Sequence, residues 1–220
     1  MRKGIPHLTR SLILESALKI LDKQGPAGLS MRKLAASLHV EAMSLYNHVR
    51  DKQDLLNGLV ELVLSRIELP GSSLPWDDRL EAIAMNLYDA LVQHPALVVI
   101  LASQKSSRDG ITVLRGMDSV IAVLADSGLK PRQQVNAFRG LLAMCFGFVL
   151  AHTQGFSTTK ELAQTEWDQW DSHQWERDTL PHLTQLAPYF LQTSADDDFR
   201  FMLRAYLDAL RMATVEDETA

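Results

Sequence analysis

The amino-acid sequence predicts an all-α protein of about ten helices, in which a compact three-helix N-terminal unit precedes a larger helical body. Apolar residues recur three and four positions apart through most of the chain, which is the spacing of one helix face. Gly and Pro clusters, such as Gly25-Pro26 and residues 69–75, separate these periodic stretches. The β-branched run at residues 96–103 has no partner strand in the sequence and is therefore also predicted to be helical.

Residues 29–56, LSMRKLAASLHVEAMSLYNHVRDKQDLL, organise the N-terminal unit. Ser30 is a good N-cap for a first short helix. A second short helix begins at about residue 41, with Leu45 and Val49 on its inner face, and Asp51 caps a longer helix that follows. Two short helices joined by a tight turn form a helix-turn-helix, whose second helix enters the major groove of DNA.

The outer face of this unit carries small, hydrogen-bonding and cationic side chains. If Leu45 and Val49 face inward, their neighbours face outward. Such side chains donate hydrogen bonds to phosphates and bases, or touch a thymine methyl group. The predicted DNA-contacting residues are Arg32, Lys33, Ala42, Met43, Ser44, Tyr46, Asn47, His48 and Lys52. The alternative is a solvated helical hairpin with ordinary surface charges.

Charge is distributed unevenly along the chain. The formal net charge of the whole chain is −5. Residues 1–60 hold nine Lys/Arg and five Asp/Glu, a net of +4, whereas the remainder holds 13 Lys/Arg and 22 Asp/Glu, a net of −9. A positive head on an acidic body is expected when one end of a protein meets DNA.

Residues 29–56 resemble the DNA-binding signature of TetR-type transcriptional repressors, and residues 8–25 resemble the first helix of that family. The positions that match the family's spacing are Leu45, Tyr46, His48, Val49, Lys52, Leu55 and Leu56. His39 departs from the family pattern, because it occupies a turn position that usually holds Gly and needs a positive φ. The resemblance implies DNA contacts by Arg32, Ser44, Tyr46, Asn47, His48 and Lys52, mostly to phosphates.

Two departures limit what the resemblance implies. Tetracycline repressors carry Gln, Pro and Thr where this chain has Ala42, Met43 and Ser44, so their operator sequence does not transfer. The Asn and Phe that contact tetracycline in those repressors align with Ile83 and Leu87 here. Tetracycline–magnesium is therefore not supported as the effector.

The predicted DNA-binding domain spans residues 1–56, and a ligand-binding and dimerisation domain spans residues 57–220. A helix from Asp51 to about Glu68 joins them. It is apolar on several faces, so it should contact both domains and transmit changes between them.

The helices predicted from Pro131 to Gln154 and from Asp196 to Ala213 are too apolar to face water alone. In TetR-type repressors the two corresponding helices pair with their copies in a four-helix dimer interface. By this resemblance, the predicted interface residues are Phe138, Leu142, Cys145, Val149, Phe199, Leu203 and Leu207.

A pocket for a mostly apolar small molecule is predicted within the body. Its predicted lining is Leu59, Val63, Leu87, Tyr88, Met117, Phe146 and Trp170. The same residues would equally fill a core. Trp167, Trp170 and Trp175 lie in a polar segment, residues 155–178, that fits a lid over the pocket, an arm on a partner subunit, or a loop pinned to the body.

Other classes of protein receive less support from the sequence. The catalytic motifs HExxH and GxSxG are absent, as are a phosphate-binding Gly-rich loop and a Cys-His cluster, so we expect no enzyme, metal or cofactor. The N-terminus lacks the apolar segment of a signal peptide, Cys145 is the single cysteine, and we expect no membrane span and a cytoplasmic location. The predicted function is a homodimeric repressor, released from a palindromic operator by a small apolar or amphipathic molecule; the alternatives are a helical protein-interaction module or, less favoured, a small helical enzyme.

Overall fold

A computed structural model describes residues 8–103, 111–153, 180–190 and 194–216. All regular structure in these ranges is helical, which confirms the predicted fold class. The ten helices are α1 (Arg10–Gly28), α2 (Met31–Ser37), α3 (Ala42–Leu45), α4 (Lys52–Leu64), α5 (Trp76–Gln93), α6 (Ala96–Ser103), α7 (Ile111–Ala125), α8 (Pro131–Thr153), α9 (Pro181–Phe190) and α10 (Ala195–Glu216). The three Trp residues at 167, 170 and 175 lie outside the described residues.

Side-chain caps start three of the first four helices. The Thr9 hydroxyl accepts from the Leu12 amide at 3.2 Å, and the Ser30 hydroxyl accepts from the Lys33 amide, also at 3.2 Å. The Asp51 carboxylate accepts from the Asp54 amide at 2.8 Å. Each cap satisfies a helix N–H that has no partner within its own helix.

Backbone geometry in the head follows the predicted breaks. Gly25 has φ +66° and kinks α1 just before Pro26. His39 has φ +56° in the turn between α2 and α3. The resemblance to TetR-type repressors predicts a positive φ at this position. His adopts this left-handed conformation more readily than a β-branched residue would.

Two helices are shorter than predicted. The α-helical part of α3 covers Ala42–Leu45, and tighter turns continue to Val49, with the His48 amide bonding to the Leu45 carbonyl at 2.9 Å. Glu41 provides no side-chain cap for this helix. Helix α4 ends at Leu64 instead of Glu68.

One continuous apolar core connects the head and the body. Helix α4 packs on α1 at one side and on α5, α6 and α7 at the other, as expected for a joining helix. The body is built around α8, which packs against α5, α6, α7 and α10. The predicted domain boundary after residue 56 falls inside α4, so the two domains share this helix.

Helix α8 corrects one expectation from the sequence. It has 23 residues and, by length and composition, is apolar enough to cross a membrane. Its buried face, which includes Phe138, Leu141, Cys145 and Val149, packs within the body. Of the apolar stretch, 28% is buried within the chain, and a single helix of this kind is weak evidence for a membrane span.

The predicted dimer residues also need correction. Within a single chain, Cys145, Val149, Phe199 and Leu203 are completely buried. The same is true, to within a few per cent of exposure, of Phe138 and Leu207, and Leu142 is half-buried. The apolar stripes of α8 and α10 face each other and the body, so these side chains are not free to contact a partner. The sequence pattern identified two strongly apolar helices, but the faces that it assigned to the interface are largely buried within one chain.

Candidate nucleic-acid interface and effector cavity

Buried aliphatic side chains hold the helix-turn-helix together. Leu34 and Ala35 of α2 and Leu45 and Val49 around α3 are buried against α1 and α4. Burial of one face leaves the opposite face of α3 projecting from the molecule. This arrangement is the one that places a recognition helix in a DNA groove.

The exposed face of α3 carries the residues that the sequence singled out. Met43 is 75% exposed and Tyr46 is 45% exposed, so both side chains are accessible to a partner. Ala42, Ser44 and His48 are half-buried beside them. The other predicted contact residues, all exposed, are Arg32, Lys33, Asn47 and Lys52.

Gln24 is a neighbour of this face that the sequence did not indicate. The Lys33 ammonium donates to the Gln24 side-chain oxygen at 3.1 Å. Lys33 thus lies toward the C-terminal part of α1, whereas Arg32 and Lys52 have no ion-pair partner among the described residues.

Arg10 and Asp54 position the end of α3. The Arg10 guanidinium donates to both Asp54 carboxylate oxygens at 3.1 and 2.9 Å and to the His48 carbonyl at 2.9 Å. Asp54 also accepts from the Arg50 amide at 2.8 Å. One carboxylate therefore links α1, α4 and the turn after α3. The two residues are 44 positions apart, and the sequence contains no signal that would have paired them.

The charges of this pair stabilise each other. The hydrogen bond from Arg10 is the largest influence on Asp54 and lowers its pKa below 3.8, against the opposing effect of burial. The same hydrogen bond raises the pKa of Arg10. The pair stays ionised at neutral pH and fixes the turn from which His48 and Lys52 extend.

A largely apolar cavity of about 320 Å³ lies in the body. Its walls come from the C-terminal end of α4 and the segment that follows, together with α5, α6, α7 and α8. Aromatic and aliphatic residues dominate the lining, as in small-molecule sites. The polar residues that line it are Ser65, Thr112, Arg115 and Ser119.

Three of the seven predicted pocket residues line this cavity: Leu87, Met117 and Phe146. Leu59 and Tyr88 are completely buried elsewhere in the core, and Val63 borders a separate, polar groove on the other side of α4. Trp170 lies outside the described residues. Phe138 and Leu142, predicted for the dimer interface, line the cavity instead.

Tyr88 belongs to a polar cluster between α5, α8 and α10. Its hydroxyl donates to the Asp196 carboxylate at 3.0 Å and lies 3.3 Å from Nδ1 of His152. Its ring stacks on Phe199 with centroids 4.0 Å apart. Burial, followed by the bond to Asp196, raises the pKa of Tyr88, so the hydroxyl stays protonated and ties α10 to α5.

Helix α4 connects the head to the cavity. Its first turn carries Lys52 and Asp54 beside the exposed face of α3, and Leu64 at its end lines the cavity. Over its 13 residues, α4 spans about 20 Å. Two side-chain contacts fasten α1 to residues that follow α4 and α5: an ion pair between Glu15 and Arg66, and a hydrogen bond between Asp22 and Nδ1 of His94 at 3.0 Å.

The fold and these two sites define a helical DNA-binding regulator with a helix-turn-helix head and a cavity of ligand size in its body. The described residues contain no group of three His, Cys, Asp or Glu side chains that could hold a metal ion.

Comparisons with known proteins identify its family. Residues 13–59 match the family model described as bacterial regulatory proteins, tetR family, and residues 70–213 match the tetracyclin repressor-like C-terminal domain. The chain is 28% identical to the HTH-type transcriptional repressor DrrR1 of Streptomyces coeruleorubidus, over 96% of this chain and 80% of that protein. It is 36% identical to an HTH-type transcriptional regulator of Saccharopolyspora erythraea, over 56% of this chain; the match spans about half, 52%, of that regulator's length.

Among solved structures, the apo form of ActR from Streptomyces coelicolor superposes with a TM-score of 0.78 at 25% identity, over 96% of this chain and 98% of ActR. ActR has also been solved in complex with actinorhodin. The chain belongs to the TetR family of transcriptional regulators. Its N-terminal helix-turn-helix is the DNA-binding element of this class of regulators.

Proposed function

We propose that the protein represses transcription as a homodimer on a palindromic operator and is released by a small apolar or amphipathic molecule bound in the body cavity. One observation carries the proposal: α4 carries DNA-facing residues at its start and forms a wall of the cavity at its end. A molecule in the cavity therefore touches the helix that positions the head. We place this action in the cytoplasm, where the operator would lie.

The residues of the head divide into two roles. Arg32, Asn47 and Lys52 are exposed and suit phosphate oxygens, which fix the position of a protein on DNA. Met43 and Ala42 project from the start of α3 and would read thymine methyl groups in the major groove. Tyr46 and His48 offer hydrogen bonds at the end of the same face.

The outer faces of α8 and α10 support a corrected dimer interface. On α10, Phe201 is 71% exposed, Met202 44% and Met212 66%. These side chains share one helix face with exposed Ala205 and Ala209. On α8, exposed Ala143 and Gly147 would allow close approach of another helix. A second copy of the chain, related by a two-fold axis, would pack the same surface of its own α8 and α10 against this one.

Control would follow from the separation of the two heads. A dimer reading two half-sites must hold its recognition helices about one DNA turn, roughly 34–36 Å, apart. A ligand that binds a pivoted position of α4 more tightly would change this separation. Linkage then requires ligand and operator to weaken each other's binding by the same factor.

The experiment selects an operator from a randomised duplex pool and measures its affinity with and without a body-binding ligand at saturation. The proposal expects at least a fivefold loss of operator affinity, as in typical allosteric coupling. Gly116→Phe, which places a large side chain at the cavity wall, should abolish the loss without changing operator affinity in the absence of ligand. Unchanged operator affinity in the unmodified protein would contradict release by the ligand.

A further inference from the structure

We propose that the effector is an amphipathic anion, whose carboxylate or phenolate is recognised by Arg115 and Thr112 of α7 while its apolar part fills the cavity. This inference rests on the proposed function, because it names the chemical class of the molecule that the body cavity takes.

Arg115 is the charged residue of an otherwise neutral lining. Of the 17 described residues that line the cavity, Arg115 alone is ionised at neutral pH. No carboxylate in the described ranges pairs with its guanidinium, and Asp118, one turn further along α7, makes no ion pair with it. Arg115 is exposed at the open side of the cavity, so a ligand whose apolar part enters the cavity can keep a negative charge beside this guanidinium.

The hydroxyl groups of the lining further limit which side chains can donate a hydrogen bond to a ligand. The Ser65 hydroxyl donates to the Leu62 carbonyl at 2.9 Å, and the Ser119 hydroxyl donates to the Arg115 carbonyl at 2.9 Å. Both serines have therefore used their only O–H and can offer a ligand nothing but acceptor lone pairs. Thr112 has no hydrogen-bond partner within the described part of the chain, so its hydroxyl can still donate.

Among the described lining residues, the side-chain donors left for a ligand are thus the Thr112 hydroxyl and the Arg115 guanidinium. Residues three apart on a helix lie on the same face, one turn from each other. Two neighbouring donors, one of them a planar cation, match the two oxygens of a carboxylate or the single oxygen of a phenolate. A neutral amide or alcohol of the same shape would lose the charge-assisted part of this contact.

The wall opposite α7 is apolar and would contact the apolar part of the ligand. Leu87, Phe138 and Phe146 supply an aliphatic and aromatic surface from α5 and α8, facing α7. Gly116, next to Arg115, has open space where a side chain would be, so the wall beside the cation is not filled. A molecule with an acidic group at one end and a flat or linear apolar body matches this arrangement.

The test compares each of two acids with its own primary amide: decanoate with decanamide, and anthracene-2-carboxylate with anthracene-2-carboxamide. Affinities for the full-length protein are measured by calorimetry at neutral pH. The inference expects at least one acid to bind about tenfold or more tightly than its amide, the range of a hydrogen-bonded charge. Equal binding of acid and amide in both pairs would overturn it, as would the absence of binding by all four compounds.

Three variants separate charge from shape. Arg115→Gln should remove the preference for the acid and leave the amide affinity within about twofold, because it keeps a polar side chain that can donate a hydrogen bond and loses the charge. Arg115→Lys should retain part of the preference. Arg132→Gln, the same change at an exposed position of α8 away from the cavity, should leave both affinities unchanged. A preference that persists in Arg115→Gln would overturn the assignment of this residue.

Operator binding without any ligand is measured on the same samples. Intact operator binding with no discrimination between acid and amide would reject the anionic effector and leave the proposed regulator standing. A clear preference for the acid, together with no operator binding, would reject the proposed function while supporting anion recognition at Arg115. The two failures are therefore distinguishable.

Discussion

At the scale of single residues, Asp54 helps to position the exposed face of α3. It accepts two bonds from Arg10 and one from the Arg50 amide, and only 14% of its side chain is exposed. Because Arg10 also holds the His48 carbonyl, loss of this carboxylate would loosen the turn between α3 and α4. The geometry of the DNA-facing surface thus depends on a residue that does not itself face DNA.

Asp54→Asn should reduce the free energy of unfolding by about 2 kcal/mol at neutral pH, since a charge-assisted, bidentate contact is lost. The hydrogen bond from Arg10 lowers the pKa of Asp54 in the folded state. Its stabilisation is therefore fully present above the ordinary pKa of 3.8 and is lost as pH falls through the lower folded value. The difference in the free energy of unfolding between Asp54→Asn and the unmodified protein should disappear in that acidic range.

Urea unfolding over a pH series measures this gap. Glu41→Gln is the control, because Glu41 is exposed and its side chain makes no capping bond. The free energy of unfolding of this variant should equal that of the unmodified protein at each pH. A gap for Asp54→Asn that is absent at neutral pH, or that widens in acid, would contradict the role assigned to this carboxylate.

At the scale of helices, the glycines of α4 and α7 differ in what surrounds them. A Cβ added to Gly58 would lie 2.7 Å from Cδ2 of buried Leu14, because α1 crosses α4 closely at this point. A Cβ added to Gly116 would meet nothing within 4 Å. The two positions are therefore a matched test of the packing between the head and α4.

Gly116→Ala should stabilise the protein by up to about 1 kcal/mol, because alanine favours the helix and no neighbour opposes it. Gly58→Ala should be stabilised less or lose stability, since the added methyl group would displace the buried Leu14 side chain. Thermal unfolding of both variants measures the difference. Equal stabilisation by the two substitutions would show that α1 does not approach α4 this closely.

Patterns within a few residues of sequence predicted where the helices lie, but they predicted less accurately which helix faces are exposed. The caps at Thr9, Ser30 and Asp51 and the positive φ of His39 follow from side-chain chemistry within a few residues, so the sequence contained them. The length of α3 depends on how the turn is tied to α1, and that tie uses Arg10, far away in sequence.

The dimer face and the cavity required the three-dimensional structure for a similar reason. Helix α10 has apolar residues on two faces, and periodicity alone does not tell which face meets the body. Leu207 is buried and Phe201 is exposed, although both are apolar residues of the same helix. Likewise Leu87 lines the cavity and neighbouring Tyr88 does not, because successive residues of α5 point in different directions.

At the scale of the whole molecule, the uncovered apolar stripe on α10 is the feature that a second copy explains. Phe201→Glu should yield folded monomers, because it puts a charge into the proposed interface without touching the core. Leu207→Glu should instead prevent folding, because this side chain is only 1% exposed within one chain. Val99→Glu, on an exposed position of α6, should leave the assembly intact.

Light scattering with circular dichroism distinguishes these outcomes. The unmodified chain should be a dimer with an interface of about 2,000 Å² or more, as expected for stable homodimers. A folded dimer of Phe201→Glu would show that the interface lies elsewhere.

The most direct test of the central claim is the salt dependence of binding to a palindromic duplex. We expect two chains per duplex and a log–log slope that falls by about one unit in Lys52→Ala, which removes one phosphate contact. Arg132→Ala should leave the slope unchanged, because Arg132 is exposed on α8 in the body. Met43→Ala should alter sequence preference with the slope unchanged. Absence of duplex binding at low salt, or equal slopes for Lys52→Ala and the unmodified protein, would contradict the account.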